Sequence, residues 1–240
     1  MTESNTFESS NPAQRAKWRA DASVALAPDD LQPWSAPQSL RRGWVNAALK
    51  RAFDLCFCLL ALPFLGTLLA LVWLTYRVTG SGPLFFRQSR YGYQRRPFDI
   101  LKIRTMRVSE AGHAFQQAVP GDTRVTPLGR FLRASSLDEL PQLINVLRGD
   151  MSIVGPRPHP TQMDDDHAHR IDGYDRRFLV KPGITGLAQV RGHRGPTASV
   201  AVLRLRIESD LEYVNRTSVW LDLHIVLRTI GAVVRPQNAH

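Results

Sequence analysis

Asp138 and Glu139 stand side by side in SSLDELPQLINVLRGDMSIVGPRP, residues 135–158, between a serine pair and a short apolar stretch. Adjacent carboxylates can divide labour. One can attack phosphorus as an oxygen nucleophile, giving an acyl phosphate, while the other holds a hard cation. The same residues can equally be a helix cap, because Ser136 and Glu139 form the S-x-x-E pattern of a capping box. Starting the helix at Ser136 puts Pro141 at its fifth position, where a hydrogen bond is lost; starting it at or just after Asp138 moves the proline into the tolerated first turn. Either start leaves both carboxylates at the positive end of the helix PQLINVL, which favours their ionised form. Beyond Arg148, Gly149 and Asp150, the segment SIVGPRP fixes the backbone around Arg157 with Pro156 and Pro158 and so aims its guanidinium, an arrangement suited to an anion such as phosphate.

Other cations approach this region. Lys102 and Arg104 are two apart and point the same way if their segment is extended. Arg133 ends LGRFLR, a short helical stretch that follows Thr126-Pro127. Arg176 and Arg177 precede the Pro182-Gly183 turn. Lys102, Arg104, Arg133, Arg157, Arg176 and Arg177 are therefore the expected phosphate contacts, with a plain basic surface as the alternative. MDDDHAHR, residues 163–170, offers three acids and two histidines, but consecutive residues rarely converge on one ion. It reads as a solvated linker.

The element beside this chemistry is a membrane segment. Leu55–Tyr76 reads LCFCLLALPFLGTLLALVWLTY, an uncharged run that as a straight helix measures about 33 Å, enough to cross a bilayer's hydrocarbon. Arg41, Arg42, Lys50 and Arg51 precede it, and Arg77, Arg87, Arg90, Arg95, Arg96 and Lys102 follow. Both flanks thus carry the positive charge of a cytoplasmic side. Pro63, with Gly66 nearby, predicts a bend that returns the helix to the face it entered from, so re-entry is favoured over spanning. Residues 80–107 read as short strands held by Phe85, Phe86, Phe98, Ile100 and Ile103, residues 108–120 as a polar loop, and the C-terminal run as two helical blocks.

Composition agrees with this organisation. The chain has 240 residues, is 43% hydrophobic and can bury a core. Its 31 Lys and Arg against 21 Asp and Glu give a charge of +10, which calls for an anionic partner: nucleic acid, acidic lipid or a phosphorylated small molecule. Beside a membrane segment, anionic phospholipid is preferred to nucleic acid. Cys56 and Cys58 read as small hydrophobes, and the first forty residues contain no apolar core of a signal peptide. The expected fold class is mixed, helix-rich α/β. A polar segment 1–40 leads into a membrane-associated helix at 41–79, then a compact catalytic domain at 80–234 and a tail at 235–240.

The stretch SLDELPQLINVLRGDMSIVGPRP, flanked in order by FFRQSRYG, FDILKIRTM, TPLGRFLR, VKPGITGLAQVRG and LEYVNRTSVWLDLHIVLRTI, resembles the bacterial sugar transferase family of monotopic polyprenyl-phosphate phosphoglycosyl transferases over roughly residues 48–234. RGHRGPT and the chain length are similar to the short exopolysaccharide-initiating members. The resemblance implies transfer of a hexose 1-phosphate, with glucose or galactose as the sugar, from a UDP-sugar to undecaprenyl phosphate with release of UMP. It also implies Asp138 as nucleophile, Glu139 associated with Mg2+, and a re-entrant helix broken at Pro63 whose two ends lie at the cytoplasmic face of the inner membrane. A homodimer is compatible with it. Leu62 stands where Ser is frequent, Arg191 where Asn is common, and Arg216-Thr217 where an Asn-Trp pair is common. These departures bear on the bend, sugar preference and packing.

Three other functions fit parts of the sequence. A nucleic-acid binder explains the charge but neither the apolar run nor the dyad. A plain membrane module explains the apolar run alone. A Mg2+-dependent phosphohydrolase uses the same aspartate with water as acceptor.

Overall fold

The computed structural model describes residues 43–79, 82–107, 121–168, 170–193 and 200–234. The sequence segments expected at 1–40, 108–120 and 235–240 lie outside these residues. Helix α1, Gly43–Thr79, has 37 residues and contains the whole apolar run. Its stretch Asn46–Thr79 is long and apolar enough to cross a membrane; its most apolar window has a mean hydropathy of 2.6 and is only 17% buried. The buried positions Asp54, Cys58, Leu65, Val72 and Tyr76 follow one stripe of the helix. Leu59, Leu60, Phe64, Leu71, Trp73, Leu74 and Val78 are exposed. So much unburied apolar surface does not belong to the core helix of a soluble protein.

The sequence predicts a bend at Pro63; the helical hydrogen-bonding pattern of α1 runs on through the proline without interruption. Proline removes one hydrogen bond, to the carbonyl four residues earlier, and a long helix can absorb that loss without ending. Thr67 Oγ1 donates to the Pro63 carbonyl at 3.0 Å one turn later.

Both ends of α1 are fastened to the rest of the protein. Near its start, Arg51 donates to the Val146 and Leu147 carbonyls at 2.6 and 2.8 Å, bonding the last turn of a short helix. Asp54 accepts from Ser152 Oγ at 2.9 Å and Ile153 N at 3.0 Å. Lys50 pairs with the buried Asp222 at 2.7 Å. Near its end, the Tyr76 hydroxyl donates to the Arg104 carbonyl.

The expected short strands are β1 (Phe85–Tyr91) and β2 (Pro97–Ile103), which pair antiparallel as a hairpin, in register from Phe85 opposite Ile103 to Tyr91 opposite Pro97. Helix α2, Pro127–Ala134, begins one residue before the expected LGRFLR: Pro127 takes the first position and Thr126 caps it, its Oγ1 accepting from Gly129 N at 2.9 Å. Helix α3, Gln142–Arg148, ends at Gly149 in the left-handed region at φ 90. Its Asn145 is fully buried and completes the edge of β2, accepting from Leu101 N at 3.0 Å and donating to the Asp99 carbonyl at 2.8 Å. That side chain ties the helix after the acidic pair to the strand that carries Lys102.

Strand β3 (Ser152–Val154) lies parallel to β4 (Gly183–Thr185). The two connect through glycines, since a Cβ on Gly183 would sit 2.0 Å from the Gly155 nitrogen. Helix α4, Thr161–His167, follows β3; helix α5, Leu187–Val190, follows β4. The C-terminal blocks are α6, Val200–Arg216, and α7, Val219–Val234. On α7, Asp222, Ile225 and Val226 are buried while Trp220, Leu227 and Ile230 are exposed. The main core joins Cys58 and Leu65 of α1 to Ile100, Leu143, Val146, Ile153, Tyr213 and Ile225. The architecture is thus mixed and helix-rich, with two small sheets.

Candidate active site

Asp138 and Glu139 lie in a short 3-10 turn, Leu137–Glu139, that runs through Leu140 and Pro141 into α3. The capping box is not formed. Ser136 is left-handed at φ 57 and makes no side-chain cap bond, so both carboxylates are free for other partners. Pro141 falls just before α3, which settles where that helix begins.

Glu139 is the meeting point of three elements. Arg157, from the loop after β3, forks onto it, Nη1 to Oε2 at 3.0 Å and Nη2 to Oε1 at 2.5 Å. Lys102 of β2 adds Nζ to Oε1 at 2.6 Å. Asp138 accepts no hydrogen bond from the described residues. Burial pushes the Asp138 carboxyl up to about 6, and the charge of Glu139 adds to this; Lys102, Arg133 and Arg157 oppose it. Burial also pushes Glu139 up, but the charges of Arg157 and then Lys102 outweigh it and hold Glu139 below the usual carboxylate range. Burial lowers Lys102, with Glu139 opposing. Surroundings rather than helix polarity therefore set the two charges, and they set them apart: one carboxylate permanently ionised and spoken for, its neighbour open and basic.

The arrangement suits attack by Asp138 on an electrophile brought against Lys102 and Arg157, both phosphate-binding side chains. Among the described residues no three His, Cys, Asp or Glu side chains gather as a metal cage. Mg2+ asks for less, usually one or two carboxylates with water and substrate phosphate, and the dyad offers that donor set. Glu139 would first have to release part of its contact with Arg157 or Lys102.

The remaining expected phosphate contacts are dispersed. Arg104 stands just past the end of β2, where its N donates to the Leu84 carbonyl at 2.8 Å and its Nη2 to the Phe85 carbonyl at 3.4 Å. Arg133 is exposed, 3.5 Å from Met106 Sδ, and reaches Asp138 through its charge alone. Arg176 is half-buried beside Gly173. Arg177 is 3% exposed and enclosed by acids, Asp164 Oδ1 and Asp210 Oδ2 each at 3.0 Å. Its expected phosphate contact gives way to these partners, because a buried guanidinium needs its counter-charges at hand.

The reading of residues 163–170 as a solvated linker is also corrected: α4 brings Asp164 to complete burial, where it accepts from Tyr174 Oη at 2.6 Å. Arg90, His159, Asp164 and Asp210 were not expected near the site. For Asp210 a signal exists, since it falls on the buried stripe Leu203, Ile207, Asp210, Val214 of α6. For Arg90 the sequence offers only its place in an alternating strand.

A family model described as bacterial sugar transferase matches residues 45–236. A UDP-glucose:undecaprenyl-phosphate glucose-1-phosphate transferase of Caulobacter vibrioides is 47% identical over 218 residues, 89% of this chain and 82% of its own length. The enzyme of the same description from Escherichia coli is 46% identical over 78% of this chain, which spans only 40% of that protein. An exopolysaccharide production protein of Rhizobium leguminosarum is 40% identical over 78% of this chain and 95% of its own length.

Proposed function

Because this chain belongs to the bacterial sugar transferase family, we propose that it transfers glucose 1-phosphate from UDP-glucose to undecaprenyl phosphate and releases UMP, initiating assembly of an exopolysaccharide or other glycoconjugate. The observation that carries this reading is the uneven dyad: an open Asp138 beside a Glu139 whose charge is cancelled by Arg157 and Lys102. Glucose is taken from the names of the Caulobacter and Escherichia relatives.

In the first step an Asp138 oxygen bonds to the phosphorus that carries the sugar, and the bond from that phosphorus to the bridging oxygen breaks. UMP leaves with the bridging oxygen, and the phosphosugar stays on Asp138 as an acyl phosphate. In the second step a phosphate oxygen of the lipid attacks the same phosphorus and the Asp138 carboxylate departs. The sugar's own C–O bond is kept throughout. Lys102 and Arg157 hold diphosphate oxygens as charge moves onto UMP, and Glu139 keeps the two cations fixed. Magnesium would be held by Glu139 together with the substrate phosphates, and would supply further charge neutralisation there.

The site faces a soluble donor and a lipid acceptor, which fits a domain joined to α1. We read α1 as re-entrant in the cytoplasmic membrane, with the catalytic domain on the cytoplasmic face. What supports this is that Lys50, Arg51 and Asp54 near one end and Tyr76 near the other all bond the same domain. A spanning helix would carry one end out of reach. A bend at Pro63, or a helix lying in the plane of the bilayer surface, keeps both ends within it. Exposed residues of α1 then face lipid.

Purified protein in nanodiscs tests the activity. UMP release from UDP-glucose should require undecaprenyl phosphate for multiple turnovers and vanish in Asp138→Asn. Continuous release without lipid identifies a hydrolase instead. A panel of UDP-sugars then fixes the donor.

A further inference from the structure

The loop that carries Arg157 is built from residues that cannot hold themselves. Pro156, Pro158 and Pro160 alternate with Arg157 and His159, so three of five residues have no N–H, and backbone pairing with β1 is limited to a single bridge between Pro160 and Arg90. The loop is instead held by its carbonyls, three in succession, each by a donor from a different element. Gly183 N of β4 donates to the Pro156 carbonyl at 2.9 Å. Arg177 Nη2 donates to the Arg157 carbonyl at 2.5 Å, and Arg90 Nη1 of β1 to the Pro158 carbonyl at 3.3 Å.

Both guanidinia are buried, Arg177 at 3% and Arg90 at 9% exposure. Arg177 is neutralised by Asp164 and Asp210, and also donates to His159 Nδ1 at 2.7 Å, which makes that imidazole the neutral acceptor. Arg90 differs. Its second arm goes to Gln88 Oε1 at 2.6 Å, and among the described residues no carboxylate lies within ion-pair distance of it. Asp164 and Glu139 act on Arg90 through their charge but neither pairs with it, and burying an arginine without a paired acid costs free energy that a surface hairpin has no reason to bear. A carbonyl acceptor in the loop that aims Arg157 gives one.

We propose that Arg90 and Arg177 are positioning residues for Arg157: by holding its carbonyl and the next, they set where its guanidinium meets Glu139 and, in the transfer reaction, the donor's diphosphate. The first half stands on the contacts described; the second rests on the function proposed above. Asp164 and Asp210 serve the clamp by holding Arg177 square to the loop. Their role is assigned through Arg157 and not through a substrate contact of their own.

The experiment is a double-mutant cycle read as equilibrium binding of UDP to the full-length protein in nanodiscs, with thermal unfolding measured beside it. Arg157→Ala should weaken UDP binding. Arg90→Lys and Arg177→Lys keep the charge but lose the fork; each should weaken UDP about tenfold when Arg157 is present, the size of one impaired charge-assisted hydrogen bond, and less than about twofold when it is already Ala. Equal losses in both backgrounds overturn the proposal, since the arginines would then act on the ligand or the whole fold without Arg157. So does full UDP affinity in both lysine variants, or in Arg157→Ala. Should Arg177→Lys fail to fold, Arg90→Lys decides alone. A wild-type protein that binds UDP but transfers no sugar defeats the proposed reaction and leaves the clamp intact.

Discussion

At the scale of single residues, the two carboxylates of the dyad are chemically unlike although they are neighbours in sequence. Glu139 has Arg157 on both oxygens and Lys102 on one of them, and stays ionised at any pH the protein meets. Asp138, with its carboxyl raised to about 6 by burial and by Glu139, titrates just below neutrality. A nucleophile must be deprotonated. UMP release should therefore hold above about pH 6 and fall about tenfold per unit below it, whereas an ordinary aspartate would place that limb near pH 4. A pH profile of kcat/KM for UDP-glucose measures this, and a limb near pH 4 would show that Asp138 lacks the surroundings described. The dyad and Arg157 were legible in sequence because proline and spacing act over a few residues. Arg177's burial was not, because Asp164 and Asp210 reach it from 13 and 33 residues away.

At the scale of elements, the site depends on short pieces held at close range. Asn145 joins α3 to β2, Arg51 closes the end of α3, and β3 meets β4 through glycines. Any side chain at Gly183 would drive a Cβ to 2.0 Å from the Gly155 nitrogen and 2.4 Å from the Thr185 oxygen, both rigid backbone. Gly183→Ala should therefore lower stability by about 1–3 kcal/mol or more and loosen the loop of Arg157. Gly66→Ala, on α1 with nothing within 4 Å of its Cβ, is the control and should not destabilise. Thermal unfolding in detergent compares them. The hairpin, α2 and the C-terminal helices follow from alternation, capping and periodicity in their own sequences. The unbroken α1 does not, since a proline states which hydrogen bond is lost and leaves open how the helix responds.

At the scale of the whole molecule, a helix apolar enough to cross a membrane is bonded to one domain from both its ends. The basic flanks in the sequence predict that both ends lie on the same side, and Lys50 and Tyr76 both bond the one domain. Cysteines introduced as Ala47→Cys and Val78→Cys in a Cys56→Ser, Cys58→Ser background should both resist a membrane-impermeant maleimide in intact cells and both react after lysis. Labelling of either one in intact cells would require a spanning helix. The central claim is covalent transfer through Asp138, and its most direct measurement is a single-substrate trap. Protein incubated with UDP-glucose labelled in the sugar, without undecaprenyl phosphate, is quenched and mapped by mass spectrometry. The account expects one phosphoglucose on Asp138 with a matching burst of UMP, discharged when lipid phosphate is added and absent in Asp138→Asn. UMP appearing only when both substrates are present, with no labelled protein at any time, would contradict it.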